Sequence, residues 1–427
     1  MQKRLNFFGA VATGTKLFPP PDFESGYTFP VEQMAPSPGD WWVWLDGGLL
    51  LVALAVAAWL VHRRRSRRGL VALAIASLLW FGFVREGCVC SIGALQNVTA
   101  SLVAGATLPA GVLVFFVLPL AFVLLFGRVF CAGVCPLGAV QELVLVRSTR
   151  VPRWLDSLLG SLPYIYLAVA VLFAATGLGF LVCRYDPFVR IFRLSGEMHM
   201  LIVAGAFVLL SLFVGRPFCR WLCPYGALLA ILGLLARREV RIPPGECVNC
   251  HLCRNSCPYG AIRPLTEAED STQARAHHRF ERALLLVMIV AGPLFAYGGF
   301  QLGVTVGPAL AKLHPTVEME RHVRAAEAGK QELESGLPVD EELLVGYGRR
   351  HEPRSVLAAE AAVAARRVVT GAGILGAFLG LFLVLRVLAL VRRWPQKEYI
   401  ASPSACVACG RCYADCPVPL ANEEEPA

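Results

Sequence analysis

Two stretches of this 427-residue chain repeat one cysteine pattern. CVNCHLCRNSCP carries Cys247, Cys250, Cys253 and Cys257, and CVACGRCYADCP carries Cys406, Cys409, Cys412 and Cys416. Each reads CxxCxxCxxxCP, the spacing that wraps three thiolates around one 4Fe–4S cluster and sends the fourth to a second cluster. Zinc knuckles use cysteine pairs and need no third cysteine at the same short interval. By the ligand exchange, Cys247, Cys250, Cys253 and Cys416 are expected to hold one cluster, and Cys406, Cys409, Cys412 and Cys257 the other. The proline after each fourth cysteine lacks an amide hydrogen, fixes its own φ and turns the chain away.

A second pattern recurs. GRVFCAGVCPLGA at 127–139 and GRPFCRWLCPYGA at 215–227 share the frame GRxFCxxxCPxGA, and a weaker copy, REGCVCSIGALQ at 85–96, aligns its CSIGALQ with CPLGAVQ. Repetition of this kind is an architectural signal. A helical spacing of four puts Cys131 with Cys135, and Cys219 with Cys223, on one side each. Two such pairs from related repeats offer four soft ligands, enough for a further iron–sulfur centre, a dithiol pair or a soft metal such as Cu(I). Cys88, Cys90 and Cys183 form a weaker candidate set, with His199 or Asp186 as a fourth ligand. Packing between helices, common for free cysteine, competes with a ligand role at Cys183. His251, between cluster cysteines, is read as tuning a potential by hydrogen bonding.

The elements that must position these thiols are membrane helices. Hydrophobic residues make up 56% of the chain and charged ones 17%, and the mean hydropathy is +0.57. Seven apolar segments stand out, at 44–61, 69–84, 103–126, 162–183, 200–215, 283–304 and 368–391. A hydrocarbon core of about 30 Å needs roughly 20 helical residues. The second and fifth segments have only 16 residues and run straight into cysteine motifs, so those motifs are expected within the headgroup layer.

HRRRSRR at 62–68 carries five arginines and the connection 85–102 carries only Arg85, which puts the first inside. Alternation then makes 127–161, 216–282 and 392–427 cytoplasmic, with 1–43, 85–102, 184–199 and 305–367 outside. No secretory signal is readable at the start. A gap of 148 residues separates Cys257 from Cys406, but two crossings within it return the chain to the same face. The net charge of +9 is explained by the inner loops, and no nucleic-acid, dinucleotide or phosphate-binding motif is present. The charged segment 305–367 reads as solvated helices.

With REGCVCSIGA, FCAGVCPLGA, FCRWLCPYGA and both cluster motifs in place, the chain from Gly69 to Pro417 resembles the membrane polyferredoxins typified by NosR and NapH, and more distantly the CcoG proteins. The resemblance to NosR and NapH implies electron transfer in anaerobic nitrogen-oxide respiration, from the quinone pool, a flavoprotein or cytoplasmic donors to an extracytoplasmic reductase. The resemblance to CcoG implies copper reduction or maturation of a metal centre. NosR carries a large outer domain with FMN on a threonine, and residues 1–43 have no matching threonine motif. The outer electron partner is therefore not inherited from NosR.

The expectation is an all-α polytopic protein of the cell (inner) membrane with about seven transmembrane helices and a small split α+β ferredoxin-like domain holding two 4Fe–4S clusters on the cytoplasmic face. Its parts are an outer segment 1–43, a membrane domain 44–236, ferredoxin halves 237–282 and 392–427, spans 283–304 and 368–391, and an outer helical loop 305–367. The protein is expected to act as an electron-transfer subunit whose partners are other redox subunits, with copper handling as the alternative.

Overall fold

Sustained apolar runs satisfy their backbone groups internally by coiling into helices, and the computed structural model of this chain is mostly helical. It describes residues 40–87, 91–105, 107–149, 151–193, 198–238, 240, 250–262, 271–329, 339–348, 353–391 and 401–417. Residues 1–42 and 43–427 form separate units.

Helix α1 (Asp40–Trp59) widens into a π turn at Leu60–Arg64. Ser66 caps α2 (Arg67–Ser77) by accepting from the Gly69 amide at 3.2 Å, and a second π turn extends α2 to Val84. Asp46 in α1 is buried, and Arg85 meets it at 2.7 Å while Trp80 Nε1 donates to it at 3.1 Å. A lone acid at that depth would be costly, so the pair clamps the end of α2 onto α1. Helices α3 (Ser91–Ala104), α4 (Ala110–Phe126), α5 (Val129–Gly133), α6 (Pro136–Leu143), α7 (Arg153–Leu159) and α8 (Leu162–Thr176) follow. The chain continues through α9 (Leu181–Tyr185), α10 (Pro187–Arg193), α11 (Met198–Ser211), α12 (Pro217–Trp221) and α13 (Pro224–Gly233).

Among the described residues five helices are long and apolar enough to cross a membrane: Trp41–Arg64, Arg67–Val84, Trp154–Thr176, Arg282–Ala311 and Arg354–Leu388. The expected third and fifth spans are the shorter helices α4, of 17 residues, and α11, of 14. The segment expected from residue 103 is broken because Gly105 turns left-handed (φ 67°) after α3 and Pro109 starts α4. The segment expected to reach Cys183 likewise stops at Gly177, a left-handed helix end (φ 79°), so Cys183 lies in the separate helix α9.

The remaining elements are α14 (Leu252–Ser256), α15 (Ser271–Ala311), α16 (Pro315–Glu327), α17 (Glu341–Gly348), α18 (Arg354–Val391) and α19 (Arg411–Ala414). Helices α15 and α18 form a hairpin whose backbones touch: a Cβ at Gly303 or Gly376 would strike the carbonyl of Ala372 or Gly299. Close approach through small residues is how helices associate where lipid removes the hydrophobic drive. On the far side of α15, Leu286, Val290 and Leu294 are 66%, 74% and 67% exposed at helical spacing, a face suited to lipid. Replacing Gly303 by leucine is expected to separate the pair, at a cost of ~3 kcal/mol or more, read as lost protection of residues 295–305 and 370–380 in hydrogen exchange.

The hairpin returns the chain to the segment it left. Ile262 and Ala401 form an antiparallel bridge, and the Ser402 amide donates to the Ala261 carbonyl at 2.8 Å. Helices α14 and α19 pack against one another. Among the described residues that bridge is the whole β component of the expected split α+β domain.

Candidate metal centres

Both CxxxCP pairs straddle a break between two helices, which corrects the expectation of a shared helical turn. Proline at the first position of α6 and α13 forces the residue before it out of the helical region. Cys135 (φ −71°, ψ 116°) and Cys223 (φ −67°, ψ 111°) are accordingly extended. Their partners Cys131 and Cys219 lie in α5 and α12. Each cysteine at the break then takes the cap position of the next helix. The Gly226 amide donates to Cys223 Sγ at 3.2 Å, whereas Cys135 holds the equivalent position before α6 without a side-chain cap hydrogen bond. The third copy also starts a helix, α3, directly after Cys90.

The glycine of CPxGA has a steric reason in both copies. A Cβ at Gly138 would lie 3.1 Å from Arg216 Nη1, and one at Gly226 would lie 3.2 Å from the carbonyl oxygen of Cys219. Gly226→Ala is expected to cost ~1–3 kcal/mol by overpacking, measurable as an earlier loss of helical signal on heating.

Cys131, Cys135, Cys219 and Cys223 converge on one cavity of about 60 Å³, closed partly by Arg128, Arg216 and Val407. Burial pushes the Cys135 and Cys223 thiols up, and neighbouring thiols, Cys219 first, push them further. Burial raises Cys219 to about 11, against the pull of Arg216 and of Gln141, whose Nε2 donates to its sulfur at 3.3 Å. Among the described residues no three His, Cys, Asp or Glu groups are grouped as ligands of a single metal ion.

In the ferredoxin segments, Cys406, Cys409 and Cys412 each lie within electrostatic reach of Cys257. Cys412 also lies within reach of Cys253, a member of the other expected set. The Ala408 amide donates to Cys406 Sγ at 3.4 Å. Left-handed His251 (φ 60°) and Gly410 (φ 76°) follow Cys250 and Cys409 at equivalent positions and start α14 and α19. In the other set, Cys247 lies outside the described residues, Cys253 is buried, Cys250 is exposed and Cys416 is half-buried just beyond α19.

The two groups of thiols touch through one apolar cluster. Tyr259, Ala261 and Val407 are buried together, and Cys131 packs on them beside Cys257, Cys406 and Cys409. Glu142, at the end of α6, ties this contact down. Its Oε1 faces Arg67 at 3.1 Å and Arg411 at 2.9 Å, and its Oε2 faces Arg216 at 3.2 Å while accepting from the Tyr259 hydroxyl at 2.7 Å. Those four partners come from α2, α19, the second CxxxCP repeat and the first ferredoxin half. Burial alone would raise the Glu142 carboxyl, but Arg216 and Arg411, with Tyr259 and Arg67, hold it at about 2. Arg67 also donates to the Cys409 carbonyl at 3.1 Å, and Arg216 donates to the carbonyls of Cys131 and Ala132. Two further arginines dock the halves: Arg128 donates to Ser404 O at 2.8 Å and Arg220 to Pro258 O at 3.0 Å.

Glu142, Gln141 and Gln96 were not legible as site residues, although the aligned CSIGALQ and CPLGAVQ contain both glutamines. Gln141 Oε1 accepts from the Phe218 amide at 3.0 Å, just before Cys219, and Gln96 Oε1 accepts from the Cys183 amide at 3.3 Å. The third repeat is thereby linked to Cys183 as the first is to Cys219. Cys183 itself is exposed and, with Asp186 and Arg193, borders a cavity of about 220 Å³. Cys88 and Cys90 lie outside the described residues, and His199 is exposed.

Two families, each described as a 4Fe-4S binding domain, match this chain. One covers residues 108–153 and 198–243, which hold both CxxxCP pairs, and the other covers 240–263, which hold Cys247 to Cys257. YccM of Escherichia coli, named as a candidate electron transport protein, is 32% identical over 38% of this chain and 50% of its own length. The uncharacterized protein MJ0750 of Methanocaldococcus jannaschii is 30% identical over 41% of this chain and 75% of its own. The regulatory protein NosR of Stutzerimonas stutzeri is 31% identical over 36% of this chain and 23% of its own. This chain thus covers half of YccM and under a quarter of NosR. No solved structure matches it.

Proposed function

Because the chain belongs to the membrane polyferredoxins of the NosR and NapH type, we propose that it carries electrons between a cytoplasmic or quinol-linked donor and an acceptor across the membrane. A 4Fe–4S cluster takes or gives one electron at a time. Cys406, Cys409, Cys412 and Cys257 would hold one cluster, and Cys247, Cys250, Cys253 and Cys416 the other. The thiol sets fit this role in softness and number. Cys131, Cys135, Cys219 and Cys223 would hold a further iron–sulfur centre, in keeping with the 4Fe-4S binding domain match over both pairs. The observation that carries the reading is the shared packing of Cys131 with Cys257, Cys406 and Cys409, which leaves no intervening helix between the two groups.

The chain's own residues prepare these sites. Amides of Gly226 and Ala408 aim hydrogen bonds at sulfur, which favours the thiolate and adjusts potential. Arg128 and Arg216 supply positive charge beside the four-thiol cavity. The apolar wall of Tyr259, Ala261 and Val407 keeps water from the path.

Iron and acid-labile sulfide are to be counted in the wild type and in a Cys131→Ser, Cys219→Ser double variant, with electron transfer followed in sealed vesicles. The expected result is more iron than two clusters require in the wild type, and loss of that excess together with transmembrane transfer in the variant. An unchanged iron count with unchanged transfer overturns the role of the cavity.

A further inference from the structure

A groove runs between α8 and α18, lined by none of the cysteines, with a cavity of about 1060 Å³. Its body is apolar, built from residues such as Leu167, Val171, Ile374 and Phe378. Its charge is confined to one end, where Arg366 and Arg367 border it beside Thr370 and Thr176, while Tyr164 lines the other end. Both arginines are exposed. No carboxylate lines the cavity, and among the described residues neither arginine has an ion pair or hydrogen bond. The Thr176 hydroxyl already donates to Leu172 O at 2.7 Å. The charged donors at that end are therefore two adjacent guanidinium forks, with the Thr370 hydroxyl beside them.

Position along the helix sets the ligand's length. From Arg367 to Phe378 α18 rises about 17 Å at ~1.5 Å per residue, close to the ~15 Å of one leaflet of hydrocarbon. The groove exists because α18 is pressed backbone to backbone on α15, whereas on this side it meets α8 through side chains such as the Tyr164–Phe382 ring pair, 5.4 Å apart. A neutral quinone head would leave two cations unmatched. Planar guanidinium groups fit phosphate oxygens bidentately, and basic pockets between membrane helices recognise anionic headgroups.

We propose that the α8–α18 groove binds one anionic phospholipid, with its phosphate on Arg366 and Arg367 and its acyl chains along Val171, Ile374 and Phe378. The site makes the lipid part of the wall beside α18, the helix that returns the chain to the second ferredoxin half.

The test is native mass spectrometry of the full chain taken from vesicles of phosphatidylcholine mixed with phosphatidylglycerol. The wild type should retain one phosphatidylglycerol in preference to phosphatidylcholine. Arg366→Gln with Arg367→Gln should weaken that retention by roughly thirtyfold, since each basic group near a headgroup contributes a factor of about five. Ala168→Trp, which fills the apolar body and leaves both arginines, should also expel the lipid. Iron content and helical signal report whether each variant is folded. Equal retention of both lipids by the wild type, full retention in either folded variant, or a quinone in place of the lipid overturns the proposal. If a variant fails to fold, the lipid preference of the wild type decides alone.

Discussion

Glu142→Ala is expected to release the ferredoxin segments from the membrane helices while the helices themselves stay folded. The substitution leaves Arg67, Arg216 and Arg411 facing one another without a counter-charge, and Arg216 is 1% exposed. Breaking a buried pair by removing one partner costs about 3–5 kcal/mol, because the remaining charge stays desolvated. Hydrogen exchange at 250–262 and 401–417 should rise sharply, and that at 295–305 should not. Glu142→Gln should behave in the same direction, since a neutral amide keeps acceptor geometry but loses the charge. The wild-type contribution depends on an ionised carboxylate whose folded value, about 2, lies below the ordinary 4.5. The stabilisation is therefore complete above pH 4.5, fades as pH falls toward 2, and leaves docking unchanged between pH 6 and 8. Unaltered exchange at 401–417 in Glu142→Ala would show that Arg128 and the Ile262–Ala401 bridge hold the domain without it.

Cys257→Ser is expected to remove the cluster of a loop more than a hundred residues away in sequence. Cys257 belongs by position to the first motif, yet Cys406, Cys409 and Cys412 are its neighbours in space. A serine hydroxyl is a harder and far less acidic ligand than a thiol, so the cluster should be lost or its potential displaced. Loss of roughly half the ferredoxin-type iron, with the remaining EPR signal unaffected by Cys406→Ser, is the expected outcome, since each motif serves two clusters. If Cys257→Ser instead extinguishes the same signal as Cys250→Ser, the fourth cysteines do not cross between motifs. The comparison needs no assumption about the electron donor.

Copper handling, the alternative raised by the resemblance to CcoG, asks for ligands converging on one ion. The four membrane thiols line one cavity, and titration with Cu(I) of protein whose clusters are blocked is the measurement that separates a soft-metal site from an iron–sulfur centre there.

The sequence alone determined what is local. The spacing CxxCxxCxxxCP named the soft-ligand sets, the apolar runs named the membrane helices, and the doubled GRxFCxxxCPxGA frame announced two related cysteine pairs. These signals survive because they depend on neighbours within a few turns of chain: ligand reach, helical rise and the φ fixed by proline. Even here proline cut the helix between the two members of each pair, a consequence readable at Pro136 and Pro224 but overridden by the attraction of a four-residue spacing. Tertiary structure decided everything that depends on where one segment meets another. It put Cys131 on the apolar cluster that also packs Cys257 and Cys406, and made Glu142 a meeting point for three arginines and Tyr259. In sequence Glu142 is one acid after an amphipathic turn, indistinguishable from a solvated one. Its role comes from charges contributed by α2, the second repeat and the last ferredoxin segment, and the low dielectric of their shared interior is what turns a single carboxylate into a determinant of the assembly.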